Sequence, residues 1–284
     1  MADIQTKLMR AVDKMPGFPQ SVQQILEMTA DINCSQRELV EVIKKDPVFT
    51  LKILRMVNSA YFSLAQEVTS VNQASVYLGL NTLKNVALGL AVIGTLPMTN
   101  PAGFDMRRFW LHSLSVAAAA RLLGARLEQK GGVETDYFAA GLLHDMGKIV
   151  FALYAPEDYR GVLERSRSRN LSLHDVEYEI FGLSHADIGS RLASTWNLPA
   201  ELTRCIAGHH SAMEGSRLTS CVSLANQVVK HLGYGYAGNS VVEELQPHLA
   251  KLFPGDVPTI AESLTELESE VEKARMFVQL GGVA

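Results

Sequence analysis

Apolar residues recur along this chain at spacings of three and four, as in Val22, Ile25 and Leu26 or Leu39, Val42 and Ile43. Alternation with a period of two is almost absent. A 3.6-residue period gathers such residues on one face of a helix, so the pattern predicts a mainly helical protein. Local punctuation sharpens the reading. Ser35 followed by Glu38 forms a capping box that opens a helix through Lys45. Pro47 suits the first turn of the next helix, where its missing N–H would have no partner anyway. Ser70 caps a helix through Leu78, Gly79 ends it, and Asn81 starts an apolar helix that runs to Leu96.

Breakers and turn formers concentrate in Pro97-Met98-Thr99-Asn100-Pro101-Ala102-Gly103, which sets a boundary there. The expected architecture is all-α, a two-lobed helical bundle, with an N-terminal lobe over 1–98, a second lobe over 99–235 and a helical extension over 236–284. In the second lobe, helices are expected around Arg107–Leu127, Thr135–Leu153, Tyr159–Ser166, Leu173–Phe181, His185–Trp196, Ala200–His210 and Leu218–His231. The extension offers Val241–Leu252 and a last helix from Thr259 to about Leu280, with Leu264, Leu267, Val271 and Ala274 on one stripe.

Composition narrows the function classes. With 284 residues, 47% of them hydrophobic, the chain can bury a large core. Lys and Arg number 26 against 30 Asp and Glu, and a net charge of −4 supplies no global basic field to gather nucleic acid. The longest apolar run, Val86 to Leu96, is about half of the roughly 20 residues that cross a bilayer, so a buried helix is expected and no membrane span. Met1-Ala2-Asp3-Ile4-Gln5 sets acid and amide ahead of any apolar stretch, unlike a secretory signal, and a cytoplasmic location is expected. Cys34, Cys205 and Cys221 are odd in number and lack CxxC spacing, which predicts reduced, buried thiols.

The candidate chemistry lies in the histidines, six of which out of 8 fall between His112 and His210. In Gly141-Leu142-Leu143-His144-Asp145-Met146-Gly147-Lys148, an imidazole and a carboxylate stand side by side in an otherwise apolar helix. Burying that Asp alone would be costly, whereas a divalent cation shared by Asp145 and His144 satisfies both. Lys148 follows His144 by four residues, on the same helical face, where its ammonium would meet a phosphate held at the metal. A second pair, His174-Asp175, is surrounded by Ser172, Glu177 and Glu179 and reads as a solvated helix start with Ser172 or Asp175 capping. Trp110 and Trp196 read as core anchors. Asp46, Asn58 and Ser59 are explained by capping and turn hydrogen bonds.

At these positions the chain resembles the HD superfamily of metal phosphohydrolases, whose pattern is a first His, an adjacent His-Asp and a later Asp on four helices. The resemblance makes His112, His144 and Asp145 metal ligands. The cyclic di-guanylate phosphodiesterase branch adds two elements, matched by His185-Ala186-Asp187-Ile188-Gly189 and by His209-His210. Its Gly-Tyr-Pro element is missing from Ser211-Ala212-Met213-Glu214-Gly215, and the late Asp is replaced by Asn226. The N-terminal half resembles the HDOD domain, through Met15-Pro16-Gly17-Phe18-Pro19, Asp46-Pro47, Asn58-Ser59-Ala60-Tyr61-Phe62, Ser70-Val71-Asn72-Gln73-Ala74 and Leu78-Gly79. Trp196-Asn197-Leu198-Pro199 continues the pattern, which covers roughly residues 15 to 230.

That resemblance implies an HD-like second lobe with a metal site formed by His112, His144, Asp145, His185, His209 and His210, with Asn226 at a weakened ligand position. The expected cofactor is one or two divalent transition-metal ions, with iron, manganese, nickel, cobalt and zinc all compatible with imidazole-rich coordination. Two ions among five neutral imidazoles and one carboxylate carry a formal +3, so the site should attract an anion, with Lys148 as a phosphate contact. The implied role is a bacterial signalling module that binds a signalling protein or a nucleotide. The alternative is a metal-dependent phosphohydrolase acting on a nucleotide or cyclic dinucleotide.

Overall fold

The structure is a computed structural model and describes residues 2–15, 17–18, 20–30, 34–59, 64, 66–127, 134–211 and 216–281. It opens with α1 (Ala2–Val12), α2 (Gln20–Ala30), α3 (Gln36–Lys44), α4 (Pro47–Val57), α5 (Val71–Leu78) and α6 (Leu80–Thr95). The middle of the chain forms α7 (Met106–Leu127), α8 (Glu134–Leu143), α9 (Gly147–Tyr154), α10 (Pro156–Arg169) and α11 (Leu173–Phe181). Then come α12 (His185–Thr195), α13 (Ala200–Gly208), α14 (Arg217–Leu232), α15 (Pro247–Leu252), α16 (Val257–Ser263) and α17 (Leu267–Gly281). The fold is all-α, as the apolar periodicity predicts. Pro16, Pro19, Ala60, Tyr61, Phe62 and residues 212–215, which carry parts of the motifs above, lie outside the described residues.

Caps start and stop these helices where the sequence places them. Ser35 Oγ accepts from the Glu38 amide while Glu38 Oε2 accepts from the Ser35 amide at 2.8 Å, which completes the capping box of α3. Asp46 caps α4 through the Phe49 amide at 3.0 Å, with Pro47 in the first turn. Ser70 caps α5, and Gly79 ends it at φ 76°, a conformation open to glycine. Asn58 clasps Val68, donating to its carbonyl at 2.8 Å and accepting from its amide at 2.7 Å. One continuous apolar core runs from Leu8 to Val278. Its axis is α7, which packs against α8, α14 and α17. Trp110 and Trp196 are buried in it, and Phe18 lies 4.1 Å from the Trp196 ring. The three cysteines are free and buried.

Three expected helices are corrected. The helix anticipated over Thr135–Leu153 is two, because His144, Asp145 and Met146 form a turn between α8 and α9. There the amides of Met146, Lys148 and Ile149 bond three residues back, to Leu143, Asp145 and Met146, and tighten the chain out of α geometry. The helix anticipated over Val241–Leu252 is only α15, since Pro247 holds Gln246 in an extended conformation at ψ 140°. The last expected helix is divided into α16 and α17: at the break the amides of Leu264 and Leu267 bond three residues back, to Ala261 and Leu264, and Arg126 donates to the Ser263 hydroxyl at 2.8 Å and to its carbonyl at 2.6 Å. Leu264, Leu267, Val271 and Ala274 still face the core. A first helix, α1, was absent from the sequence reading; it packs on α9 and α12, and Gln5 donates to the Phe181 carbonyl at 2.9 Å. No helix among the described residues is long and apolar enough to cross a membrane, and the run from Val86 is buried within α6.

Candidate metal centre

Three helix ends and one helix interior converge on Asp145. His112 comes from the middle of α7, His144 and Asp145 from the turn after α8, His185 from the first position of α12, and His209 and His210 from the end of α13. Two glycines allow this convergence. A Cβ at Gly141 would come 2.6 Å from the Ala117 backbone, so α7 and α8 touch main chain to main chain. A Cβ at Gly147 would come 2.0 Å from the His185 carbonyl and 2.7 Å from the Gly189 amide. Neither neighbour can rotate away. Gly147→Ala is therefore expected to cost about 1–3 kcal/mol, in the range of overpacked cores. A thermal melt should show the loss; a variant as stable as the parent would contradict the close approach of α9 and α12.

The distances around Asp145 define two groups of possible ligands. Asp145 Oδ2 lies 3.3 Å from His144 Nε2 and 3.7 Å from His112 Nε2. Asp145 Oδ1 lies 3.1 Å from His185 Nε2 and 3.6 Å from His209 Nε2, and His185 Nε2 is 3.1 Å from His210 Nε2. One group is His112, His144 and Asp145; the other is Asp145, His185, His209 and His210; the carboxylate belongs to both.

Proton bookkeeping shows what this arrangement lacks. His144 Nδ1 is 2.7 Å from the Gly141 carbonyl and His209 Nδ1 is 2.8 Å from the Ile206 carbonyl. A carbonyl only accepts, so each Nδ1 carries the proton and each neutral ring turns a bare Nε2 lone pair inward. His185 does the same, because its Nδ1 donates to Glu177 Oε2 at 2.5 Å. Three lone pairs thus face the oxygens of a carboxylate that can also only accept. His112 Nε2, His144 Nε2, His209 Nε2, Asp145 Oδ1 and Asn226 Oδ1 are buried without a hydrogen-bond partner. Buried polar atoms are rarely left so. A divalent cation is the species that five such acceptors fit, and the residues present therefore suit the metal that the sequence resemblance implies.

Electrostatics keeps His112, His209 and His210 neutral and acts the other way on His185. Burial pushes His112 and His210 well below the ordinary imidazole range and His209 down to about 3. Burial acts the same way on His185, but the Glu177 charge and the hydrogen bonds with Asp145 and Glu177 together outweigh it and raise that ring. Burial disfavours the Asp145 carboxylate, yet His144 and Lys148 together hold it well below the usual carboxylate range. Lys148, the expected phosphate contact, is buried beside the cluster, and its Nζ bonds Asp145 Oδ2 at 2.6 Å. The turn after α8 puts Lys148 beside Asp145, three residues back in the chain.

Several residues at the site were not singled out by the sequence. Glu177, expected to face solvent, is fully buried; its Oε2 accepts from both the His185 amide, at 2.7 Å, and the His185 ring, and Tyr159 donates to its Oε1 at 3.3 Å. The signal was its four-residue spacing from Leu173 and Phe181, both buried on the same face of α11. His174 stands at a helix start, as expected, but is only partly exposed: its ring stacks on His210 with centroids 4.7 Å apart, and Ser172 makes no side-chain cap. Asp175 does stay exposed. Lys230, one turn after Asn226 on α14, is also buried, and burial followed by the Lys148 charge lowers its pKa to about 8. Finally, the extended chain after Gly238 runs over His209 and His210. Glu243 donates its amide to Gln227 at 2.8 Å and brings its carboxylate to 4.0 Å from His210 Nδ1. The space left beneath is about 20 Å³, room for about one water.

Comparison with known proteins places this architecture. A Treponema pallidum protein is 25% identical over 246 residues, 85% of this chain and 46% of its own length. Ribonuclease Y of Latilactobacillus sakei is 22% identical over 216 residues, 76% of this chain and 33% of that enzyme. The chain thus spans less than half the length of these curated relatives. Among solved structures, an HDOD domain protein of Geobacter sulfurreducens is similar with a TM-score of 0.78 at 23% identity, covering 98% of each chain. A Shewanella amazonensis protein assigned as a phosphohydrolase has a TM-score of 0.73 at 23% identity, covering 96% of this chain and 98% of its own. At such identities the likeness shows the shared fold. The family model of the HDOD domain matches residues 15–212, well over half of the chain and every histidine of the cluster, and the chain belongs to the HDOD domain family.

Proposed function

We propose that this chain is a bacterial regulatory HDOD module, acting in the cytoplasm, that holds one or two divalent transition-metal ions and is not an efficient hydrolase. The observation that carries the metal is the set of inward lone pairs on His144, His185 and His209 around the Asp145 carboxylate. His112, His144 and Asp145 would hold one ion, with Asn226 as a neutral oxygen donor; Asp145, His185, His209 and His210 would hold the other. A bound metal of this kind supplies a Lewis acid and lowers the pKa of a coordinated water. The chain's own residues argue against turnover. Asn226 brings no charge, the Lys148 ammonium is engaged by Asp145, and the segment from Glu243 leaves space for about one water over His209 and His210. A signalling protein or a nucleotide is the partner that fits a regulatory role.

A phosphohydrolase is the second reading, favoured by two buried lysines, Lys148 and Lys230, close to the same carboxylate. The likeness to Ribonuclease Y points the same way. Incubation with cyclic di-guanylate, nucleotides and a short RNA, in the presence of iron or manganese, is expected to give no hydrolysis above the metal-free background. Turnover that His144→Ala abolishes would overturn this and make the protein an enzyme. Asn226→Asp supplies the missing charge and is expected to raise metal occupancy, by up to one ion per chain if the His112 side is the weaker one, as elemental analysis would read.

A further inference from the structure

One histidine of the cluster lacks what three others have. His144, His185 and His209 turn Nε2 inward and give their Nδ1 proton to an outer acceptor: the Gly141 carbonyl, the Glu177 carboxylate and the Ile206 carbonyl. Outer acceptors of this kind fix the orientation of metal-binding imidazoles. His210 has the same inward Nε2, 3.1 Å from that of His185, and His174 stacks on its ring with centroids 4.7 Å apart. Its Nδ1 makes no hydrogen bond among the described residues. The carboxylate it meets is that of Glu243, whose Oε2 stands 4.0 Å away and whose Oε1 is buried without a partner. The chain around Glu243 places it there. Its amide donates at 2.8 Å to Gln227 Oε1 on α14, one residue after Asn226. Before it, Gly238 turns at φ 99° so close to α11 that a Cβ would come 2.6 Å from the Leu173 side chain; after it, Pro247 opens α15. The segment 239–246 is thus held at both ends and at its middle. The Glu243 charge also acts on buried Lys230, with which it forms no ion pair. Glu243 lies beyond residues 15–212, which the family model matches.

We propose that Glu243 is the outer acceptor of His210 in the metal-loaded protein, and that this bond draws the segment 239–246 onto the centre. The inference rests on the metal reading above. A ring that lends Nε2 to a cation carries its N–H on Nδ1, and in His210 that N–H meets Glu243. An N–H bonded to a carboxylate sits at about 2.8 Å, so the pair closes by about 1 Å. Val242 and Glu244, on either side of Glu243, are exposed. Occupancy of a buried site would thereby be felt by a segment that faces solvent.

The test compares the full chain with its Glu243→Ala and Glu243→Gln variants, each stripped by chelator, checked for folding by thermal melt, and titrated with manganese and, anaerobically, with ferrous iron. In the parent, the bound ion is expected to slow amide hydrogen exchange over 239–246 by about tenfold or more. In Glu243→Ala it should leave that exchange unchanged, and the ion should bind about 10–100-fold more weakly, as on loss of an outer partner. Glu243→Gln keeps an oxygen for the Nδ1 proton and should restore most of both effects. Three results overturn the proposal while the metal reading stands: an ion bound by the parent without protection of the segment, protection that persists in Glu243→Ala, or a Gln variant no better than Ala. A parent that binds neither ion fails the metal reading itself, and the proposal falls with it.

Discussion

Asp145→Asn is expected to empty the metal centre. The substitution keeps the shape of the side chain and removes the one negative charge that both ligand groups share. Its amide can also donate to an inward Nε2, which answers the unpaired acceptors without a cation. Outer partners of metal ligands typically change affinity by 10–100-fold, and loss of a bridging carboxylate should exceed that, by at least about 100-fold. One complication is built in: Lys148 bonds this carboxylate at 2.6 Å in a buried setting, and removal of one member of a buried pair leaves the other charge stranded. The double variant Asp145→Asn with Lys148→Met removes both charges. Equal loss of metal in the single and double variants, read by elemental analysis, assigns the effect to the lost ligand; metal retained in either contradicts the shared role of Asp145.

Glu177→Ala is expected to weaken metal binding by about 10–100-fold without removing a ligand. Glu177 touches no inward-facing atom of the cluster. It holds the His185 amide and the His185 Nδ1 proton, and so fixes which ring nitrogen faces Asp145. Without it, His185 is free to carry its proton on Nε2 and to turn. Glu177→Gln is the control, because its amide oxygen can take both donors in the same place and should restore most of the affinity. Metal titration of the two variants, with folding checked by melting, separates this role from simple packing: equal loss in Gln and Ala would show that the hydrogen bonds to His185 do not matter.

These residues also show how far the sequence could be read. Helix type and most boundaries followed from three-and-four spacing and from caps such as Ser35, Asp46 and Ser70, because each is a local hydrogen bond between near neighbours in the chain. The cluster was legible as a resemblance: His112, His144, Asp145, His185, His209 and His210 do come together. The break between α8 and α9 was not legible, since Phe138 to Ala152 is buried on every side, and a stretch with no exposed face carries no phase that a turn could interrupt. Local context misled at Glu177 and His174. Their chain neighbours Asp175 and Glu179 are polar and solvent-facing, whereas the partners that bury them, His185 and His210, arrive from α12 and from the end of α13. The last helix breaks where Arg126, some 137 positions away in the chain, meets Ser263. Contacts of that kind leave no periodic trace.

The most direct test of the metal centre is the metal content of the unaltered protein. The chain should be expressed in medium supplemented with iron and manganese, purified without chelator, and its transition metals counted per chain by elemental analysis. Between one and two ions per chain is the predicted result, because two groups of ligands share Asp145. A protein that is folded by its melting curve yet holds near-zero metal would contradict the account, and would mean that the inward lone pairs of His144, His185 and His209 are satisfied by protons instead.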